Sequence, residues 1–357
     1  GSEWSGPLSD LSRLLSKQAL PADLRIDWDG VADLALSRHR VGPTLASAVL
    51  ELDPPNHIAA RFQASLDQAA LSALAEKAET LRLVTALRGS GCDPVLLKGW
   101  ALAERLFGSA SLRHSKDIDL HVRSDEVPGA VACLQRLGYS ALAGHHTRMK
   151  LAAAGAQAVL TETNDIAFID ASGQQVELHW RFSHLAGWPE LADIPQATTD
   201  QPIDRSGISV RVLSDRANLI YLSQHGQLHM WGRLKWLADI AELCRRIRPE
   251  ELLSDLEVAD EIGAGRPVRI AIWLAHHCLD SPVPAGWPEP TWLERRALVH
   301  FRRLIAEPGG DPGQPWARMQ YHLSVLAFGQ GWRQKLASPR YAFWRNLRLY
   351  LAGQQLA

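Results

Sequence analysis

The sequence predicts an α+β fold, a small mixed β-sheet set between a helical N-terminal region and a helical C-terminal region. Three observations carry that reading. Apolar residues recur every three or four positions before residue 90, short segments with two-residue alternation gather between 95 and 182, and helical spacing returns after 213. The expected divisions are residues 3–92, 93–213 and 214–357. At ~100–200 residues per domain, a chain of 357 residues has room for two or three.

The clearest helix is expected over residues 58–88, where Phe62, Leu66, Ala69, Ala73, Ala78, Leu81, Val84 and Leu87 recur at helical spacing. Gly89-Ser90-Gly91 ends it, and Asp93-Pro94 turns the chain into a strand over 95–98. A helix-like stretch follows Lys98-Gly99 and leads to a second strand, DIDLHV, over 117–122. Ser124 is the expected N-cap of the next helix, with Asp125 and Glu126 in its first turn and its end near Leu137, before Gly138. Further strands are expected over 156–161, 166–169 and 175–182, the last two joined by the turn Ala171-Ser172-Gly173, which gives a sheet of four or five strands. From Ser214 onward the pattern is helical, broken at Pro282, Pro284, Pro288 and Pro290 and by the Gly/Pro-rich segment 307–315.

Composition excludes several classes of function. A formal net charge of −1 disfavours a surface built for nucleic acid or anionic membrane, which calls for a basic imbalance, and favours a small-molecule or peptide partner. Cys92, Cys133, Cys244 and Cys278 are far apart and form no CxxC pair, so neither a disulfide framework nor a zinc knuckle is expected, and a cytoplasmic location is the default. No run approaches ~18 apolar residues, and the N-terminus lacks a basic segment followed by an apolar one, so no membrane span or signal peptide is expected. The tryptophans concentrate in the second half and are expected to fill helical cores.

The chemistry is declared between residues 95 and 122. Alternation along the second strand puts Asp117, Asp119 and His121 on one face and Ile118, Leu120 and Val122 on the other. Two carboxylates on one surface repel unless a cation neutralises them, and oxygen ligands of this kind suit Mg²⁺ with substrate phosphates. Aspartate-nucleophile phosphatases also carry a DxD, but theirs ends an apolar strand, whereas Arg113-His114-Ser115-Lys116 precede Asp117. A second ion ~3.5–4 Å from the first needs another acid. The segment QVELHWRF offers Glu177: with Val176, Leu178 and Trp180 facing a core, Glu177, His179 and Arg181 share the other face. If this strand lies beside the first in matched register, Glu177 completes an acidic triad.

In the segment Tyr221 to Cys244, a single helix would place His225, His229, Trp236 and Asp239 on one broad face, although Gly226 and Gly232 weaken that condition. A histidine pair at i and i+4 is compatible with zinc, yet no HExxH glutamate accompanies it.

These residues resemble the nucleotidyltransferase superfamily related to DNA polymerase beta, whose members carry a glycine-containing strand-to-helix turn, an acid-x-acid strand and a later acid on a neighbouring strand. More narrowly, LLKGWALAERLF, RHSKDIDLHV, VELHWRF and HGQLHMWGRLKWLADI are similar, in that order, to a large bacterial family of uncharacterised nucleotidyltransferases, over about residues 30–245. The resemblance implies a polymerase beta-like core and transfer of a nucleoside monophosphate from an NTP, ATP by default, to an acceptor. It implies Asp117, Asp119 and Glu177 as catalytic residues and ligands of two Mg²⁺ ions, with Mn²⁺ as an alternative. Lys98, Gly99 and Arg113 would meet the nucleotide, as would Lys235 or Arg233, with Asp239 fixing that cation from one turn away. His179, His225 and His229 are candidates for hydrogen-bonding support of the metal ligands. The acceptor is open: a peptide natural product is suggested by the family, and an antibiotic-type or toxin/antitoxin-type transferase is the alternative. One departure stands out. Superfamily members usually have Gly-Ser or Gly-Gly after the first strand, where this chain has Gly99-Trp100, which motivates a further alternative, an inactive nucleotide-binding scaffold.

Overall fold

A computed structural model describes residues 4–17, 25–143, 147–149, 163–183, 187–203 and 207–307. The strand expected over 156–161 and nearly all of the break expected over 307–315 lie outside the described residues.

The fold is α+β. Helices α1 (Pro7–Ser16), α2 (Trp28–Asp33), α3 (Gly42–Glu51) and α4 (Asn56–Gly89) precede the first strand. Strand β1 (Val95–Leu96) leads into α5 (Gly99–Phe107), and β2 (Asp117–His121) into α6 (Val127–Arg136). Then come β3 (Ser140–Ala143), β4 (Thr147–Met149), β5 (Asp165–Ile169), β6 (Gln175–His179), β7 (Thr198–Pro202) and β8 (Ser209–Leu213). The chain continues with α7 (Asp215–Leu228), α8 (Leu234–Arg246), α9 (Pro249–Glu261), α10 (Gly265–Leu279) and α11 (Trp292–Ala306). Among the described residues no helix is long and apolar enough to cross a membrane.

The eight described strands form one mixed sheet in the order β4-β3-β5-β6-β2-β1-β8-β7. It is larger than the four or five strands expected. The hairpin of β7 and β8 adds an edge whose outer strand, TTDQP, is polar, carries a proline and shows no two-residue apolar alternation. At the centre, β2 runs parallel to β6 and antiparallel to β1. Ile118 and Leu120 of β2, with Val176 and Leu178 of β6, are fully buried on the sheet face covered by α4, α5 and α6. The opposite face of the same two strands carries the acids.

Helix α4 matches the expected 58–88 closely, but its core-facing set includes two polar residues, Glu76 and Thr80, among Leu83, Val84 and Leu87. Trp100 explains them. Its fully buried indole fills the space between α4 and the sheet, its Nε1–H donates to Thr80 Oγ1 at 3.2 Å, and its backbone N–H donates to Glu76 Oε1 at 3.1 Å. Lys77 lies over the indole face, 4.6 Å from the ring centre, and pairs with Glu104 of α5.

Two expected boundaries move. Helix α6 starts at Val127 rather than after a Ser124 cap: Pro128 is accommodated only in a first turn, and the Glu126 carboxylate instead accepts the Arg123 N–H at 2.8 Å. The single helix considered for residues 221–244 is two helices, broken where Met230 and Trp231 both adopt positive φ, 50° and 52°. The break folds the Trp231 indole back onto Gly226, where a Cβ would collide with the ring. Burying that indole completely in the helical core offsets the cost of two strained residues.

The helices at the two ends of the described chain share a core. Leu11 and Leu14 of α1 belong to the same apolar cluster as Ile272 and Leu279 of α10 and Phe301 of α11. The Arg38 guanidinium donates to the carbonyls of Leu304 (3.1 Å) and Ile305 (2.7 Å). Near the middle of this arrangement, His39 is fully buried, and its Nδ1 accepts the Leu234 N–H at 3.2 Å, fastening the segment before α3 to the start of α8.

Candidate active site

A cavity of about 440 Å³ opens on the acid-bearing face of β2 and β6. Its floor follows from strand register: Asp119 stands directly opposite Glu177, Asp117 opposite Gln175, and His121 opposite His179. Register is therefore matched between the two acidic strands. Its walls come from the segment Arg113 to Lys116, from α7 and the start of α8, and from Arg40. Of the residues singled out in the sequence, Lys98, Arg113, Asp117, Asp119, Glu177, His179, His225, His229 and Lys235 all line it. Gly99 and Asp239 do not.

Asp119 is the pivot. It is 2% exposed, yet it gathers two cations: Lys98 Nζ at 3.0 Å and His179 Nε2 at 3.2 Å, both on Oδ1. His179 Nε2 also lies 3.5 Å from Glu177 Oε2. Burial would raise the Asp119 carboxyl, but Lys98 and then His179 outweigh it and hold Asp119 ionised below the usual carboxylate range. Burial works in the opposite sense on His179, and its hydrogen bonds to Asp119 and Glu177 overcome it, raising the imidazole above its ordinary value. Asp117 lacks such partners. Burial, then repulsion from Asp119 and Glu177, pushes it up to about 6. A fourth acid, Asp165 of β5, pairs across the sheet with His179 and is raised by its own burial.

This donor set fits a divalent cation. One ligand atom from each of Asp119, Glu177 and His179 lies within 4.8 Å of the others, the one such group of three among the described residues. Carboxylate oxygens suit Mg²⁺ and Mn²⁺, and an imidazole nitrogen is better matched to Mn²⁺ than to Mg²⁺. Lys98 and His179 are cations in contact with the oxygen a metal would take, which is the electrostatic demand a metal would meet.

The other predicted residues take different partners from those expected. Asp239 does not hold Lys235. It makes a two-point ion pair with Arg113, Nε to Oδ1 and Nη2 to Oδ2, each 2.9 Å. Lys235 lines the cavity with its ammonium pulled down to about 7 by burial and by Arg113. His225 and His229 lie with ring centres 4.5 Å apart, and His229 stacks on Trp236 at 4.8 Å. Burial drives both imidazoles to the neutral form, His229 to about 4. They form an apolar, aromatic wall with Tyr221 beside Lys98.

Gly99 sits at φ +75°, at the turn where the amides of α5 begin, and a Cβ there would collide with Glu76 Oε1. The glycine is required because an internal carboxylate approaches the turn. Burial pushes the Glu76 carboxyl up to about 7.

Sequence reasoning missed Asp165, Arg40 and Glu76. Asp165 was within reach: it continues the alternation of Ala167 and Ile169 one residue before the strand expected at 166. Arg40 carries no signal in the sequence, since its positive φ of 54° appears only in the fold.

A family described as uncharacterised nucleotidyltransferase matches residues 25–280 of the chain, the stretch that contains every residue of this cavity. No curated protein matches.

Proposed function

The chain belongs to this family of uncharacterised nucleotidyltransferases, and from that premise we propose that it transfers a nucleoside monophosphate from an NTP, ATP by default, to a small-molecule or peptide acceptor. The observation that carries the reading is the register of Asp119 with Glu177, with Asp117 on the same face, at the floor of a cavity large enough for a nucleotide. Asp117, Asp119 and Glu177 would hold the divalent ions, Mg²⁺ or Mn²⁺, with His179 as a further ligand or as the group that orients Asp119 and Glu177. Bound there, the ions would neutralise charge on the phosphates and acidify the attacking group.

The protein's own groups account for the rest. Lys98 is poised between Asp119 and the cavity and would turn to the donor phosphate once Asp119 is otherwise neutralised. Glu177, more open than Asp119, would accept the proton of the acceptor nucleophile. The aromatic wall of Tyr221, His225, His229 and Trp236 offers ring faces and excludes water.

The occupied turn at Gly99-Trp100 favours a second reading, a protein that binds nucleotide without turnover. Calorimetric titration with each NTP plus Mg²⁺, followed by pyrophosphate release with candidate acceptors, separates the two. Pyrophosphate release lost in an Asp117→Asn/Asp119→Asn variant supports the transferase. Metal-dependent binding without release on any acceptor supports the binder, and unchanged metal-dependent binding by the double variant removes both.

A further inference from the structure

Two features, one beside the cavity and one within it, are left over once the metal ligands and Lys98 are assigned. One is a filled anion position. The first amides of a helix following a strand attract phosphate, but here the Trp100 N–H is already bonded to Glu76 Oε1 at 3.1 Å, and Gly99 has no room for a Cβ because that carboxyl fills the turn. The other is a set of cations that make no ion pair, although Asp239 and Asp117 act on Lys235 from a distance. Arg40, Arg233 and Lys235 all line the cavity, and among the described residues none of the three has an acidic side chain within ion-pairing distance. Asp239, on the same helix as Lys235, is taken by two nitrogens of Arg113.

These cations are brought together by construction rather than by surface accident. The His39–Leu234 hydrogen bond fastens Arg40 beside the start of α8, and the left-handed pair Met230–Trp231 turns the chain so that Arg233 and Lys235 face the same space. Arg40 itself holds φ at 54°, a left-handed conformation that is strained for a non-glycine residue and persists where the surroundings enforce it. Burial lowers Arg233, Lys235 and the neighbouring His114 most, and repulsion from Arg40 adds to each. Like charges confined in a partly buried cavity, with their acids engaged elsewhere, demand an anion of matching size.

We propose that Arg40, Arg233 and Lys235 form the binding site for the terminal phosphates of the nucleotide donor, replacing the helix-end amides at Gly99-Trp100, which Glu76 closes to substrate. The proposal rests on the nucleotidyl-transfer reading for the identity of the ligand, and its chemistry is that of a linear polyphosphate. Two guanidinium forks and one ammonium can neutralise a pyrophosphate-sized group. The amide turn then serves only to hold Lys98 in place from within.

The test uses the full chain and inorganic tripolyphosphate without divalent ions, measured by isothermal titration. The wild type should bind, and an Arg40→Ala/Arg233→Ala variant should bind at least about tenfold more weakly, with a shallower dependence on salt. An Arg40→Lys/Arg233→Lys variant, which keeps the charge but loses the forks, should fall between them, and thermal melts establish that each variant is folded. Hydrogen exchange at the Trp100 amide should be equally slow with and without tripolyphosphate. Wild-type affinity in the folded alanine variant would overturn the site, as would ligand-dependent protection at Trp100. Failure of the transfer reading is distinguishable: an Asp119→Asn variant with undiminished NTP turnover refutes that reading and leaves tripolyphosphate binding by the cations untouched.

Discussion

Arg113 and Asp239 are joined by two hydrogen bonds of 2.9 Å each, between a guanidinium 7% exposed and a carboxylate 1% exposed. The pair ties the segment before β2 to α8, and so fixes the distance between the acidic strand and the basic wall of the cavity. Breaking a buried pair by removing one partner leaves an uncompensated charge and typically costs about 3–5 kcal/mol. Asp239→Asn should therefore lower the urea midpoint by the equivalent of that amount. Replacing both partners with apolar residues, Arg113→Met/Asp239→Leu, should recover most of the stability, because the desolvation cost disappears with the charges. A single variant with unchanged stability would show that the ion pair does not hold these elements together.

His179 touches both Asp119 and Glu177 through one nitrogen. Whether it ligates the ion itself or orients the two acids, its loss should weaken Mn²⁺ binding by about 10–100-fold, measured by the loss of free-ion signal in electron paramagnetic resonance. Asp119→Asn and Glu177→Gln should each weaken binding at least as much, since each removes an anionic ligand. Equal Mn²⁺ affinity in all three variants and the wild type would place the ion elsewhere.

Trp100 stands where the sequence led us to expect a small residue, and its indole packs in the core rather than at the cavity. Its indole is fully buried between α4 and the sheet and hydrogen-bonded to Thr80. Trp100→Ser, which puts the expected small hydroxyl residue after Gly99, should not improve nucleotide affinity. It should destabilise by about 3–5 kcal/mol, as large-to-small core substitutions do, read from chemical denaturation. A folded Trp100→Ser variant with tighter NTP binding would mean that the tryptophan blocks a phosphate site rather than fills a core.

The floor of the site was legible because β2 and β6 each carry a strict two-residue alternation between one apolar core and one polar face, so Asp117, Asp119, Glu177 and His179 declared their sides from sequence alone. What alternation cannot encode is which strands become neighbours, and the pairing of Asp119 with Glu177 emerged only from the sheet. The division between α7 and α8 was illegible for a different reason. Gly226 and Gly232 signalled weakness, but the break itself depends on burying Trp231 against Gly226, a tertiary contact that overrides local propensity. Arg40 is distant in sequence from every motif. Glu76 was hidden more thoroughly: helical periodicity assigns charged positions of α4 to solvent, and only the arrival of Trp100 from α5 turns this one inward.

That inward carboxyl gives stability a pH dependence with a definite sign. Burial raises the folded-state value of Glu76 to about 7, against a model-peptide value of 4.5 for the unfolded chain. Between those values the folded protein binds the extra proton, so the stabilisation is fully present below about pH 4.5 and is lost as pH rises through about 7. The loss amounts to roughly 3–4 kcal/mol on the scale of 1.36 kcal/mol per tenfold change in proton affinity. Glu76→Gln keeps an oxygen to accept the Trp100 N–H but cannot ionise, so this contribution should vanish from its urea-denaturation profile between pH 5 and pH 8. At pH 8 the variant should be the more stable protein, and at pH 5 the two should converge. A wild-type profile that rises across the same interval, with the variant parallel to it, would show that Glu76 is ionised in the fold and stabilised by Arg113 instead.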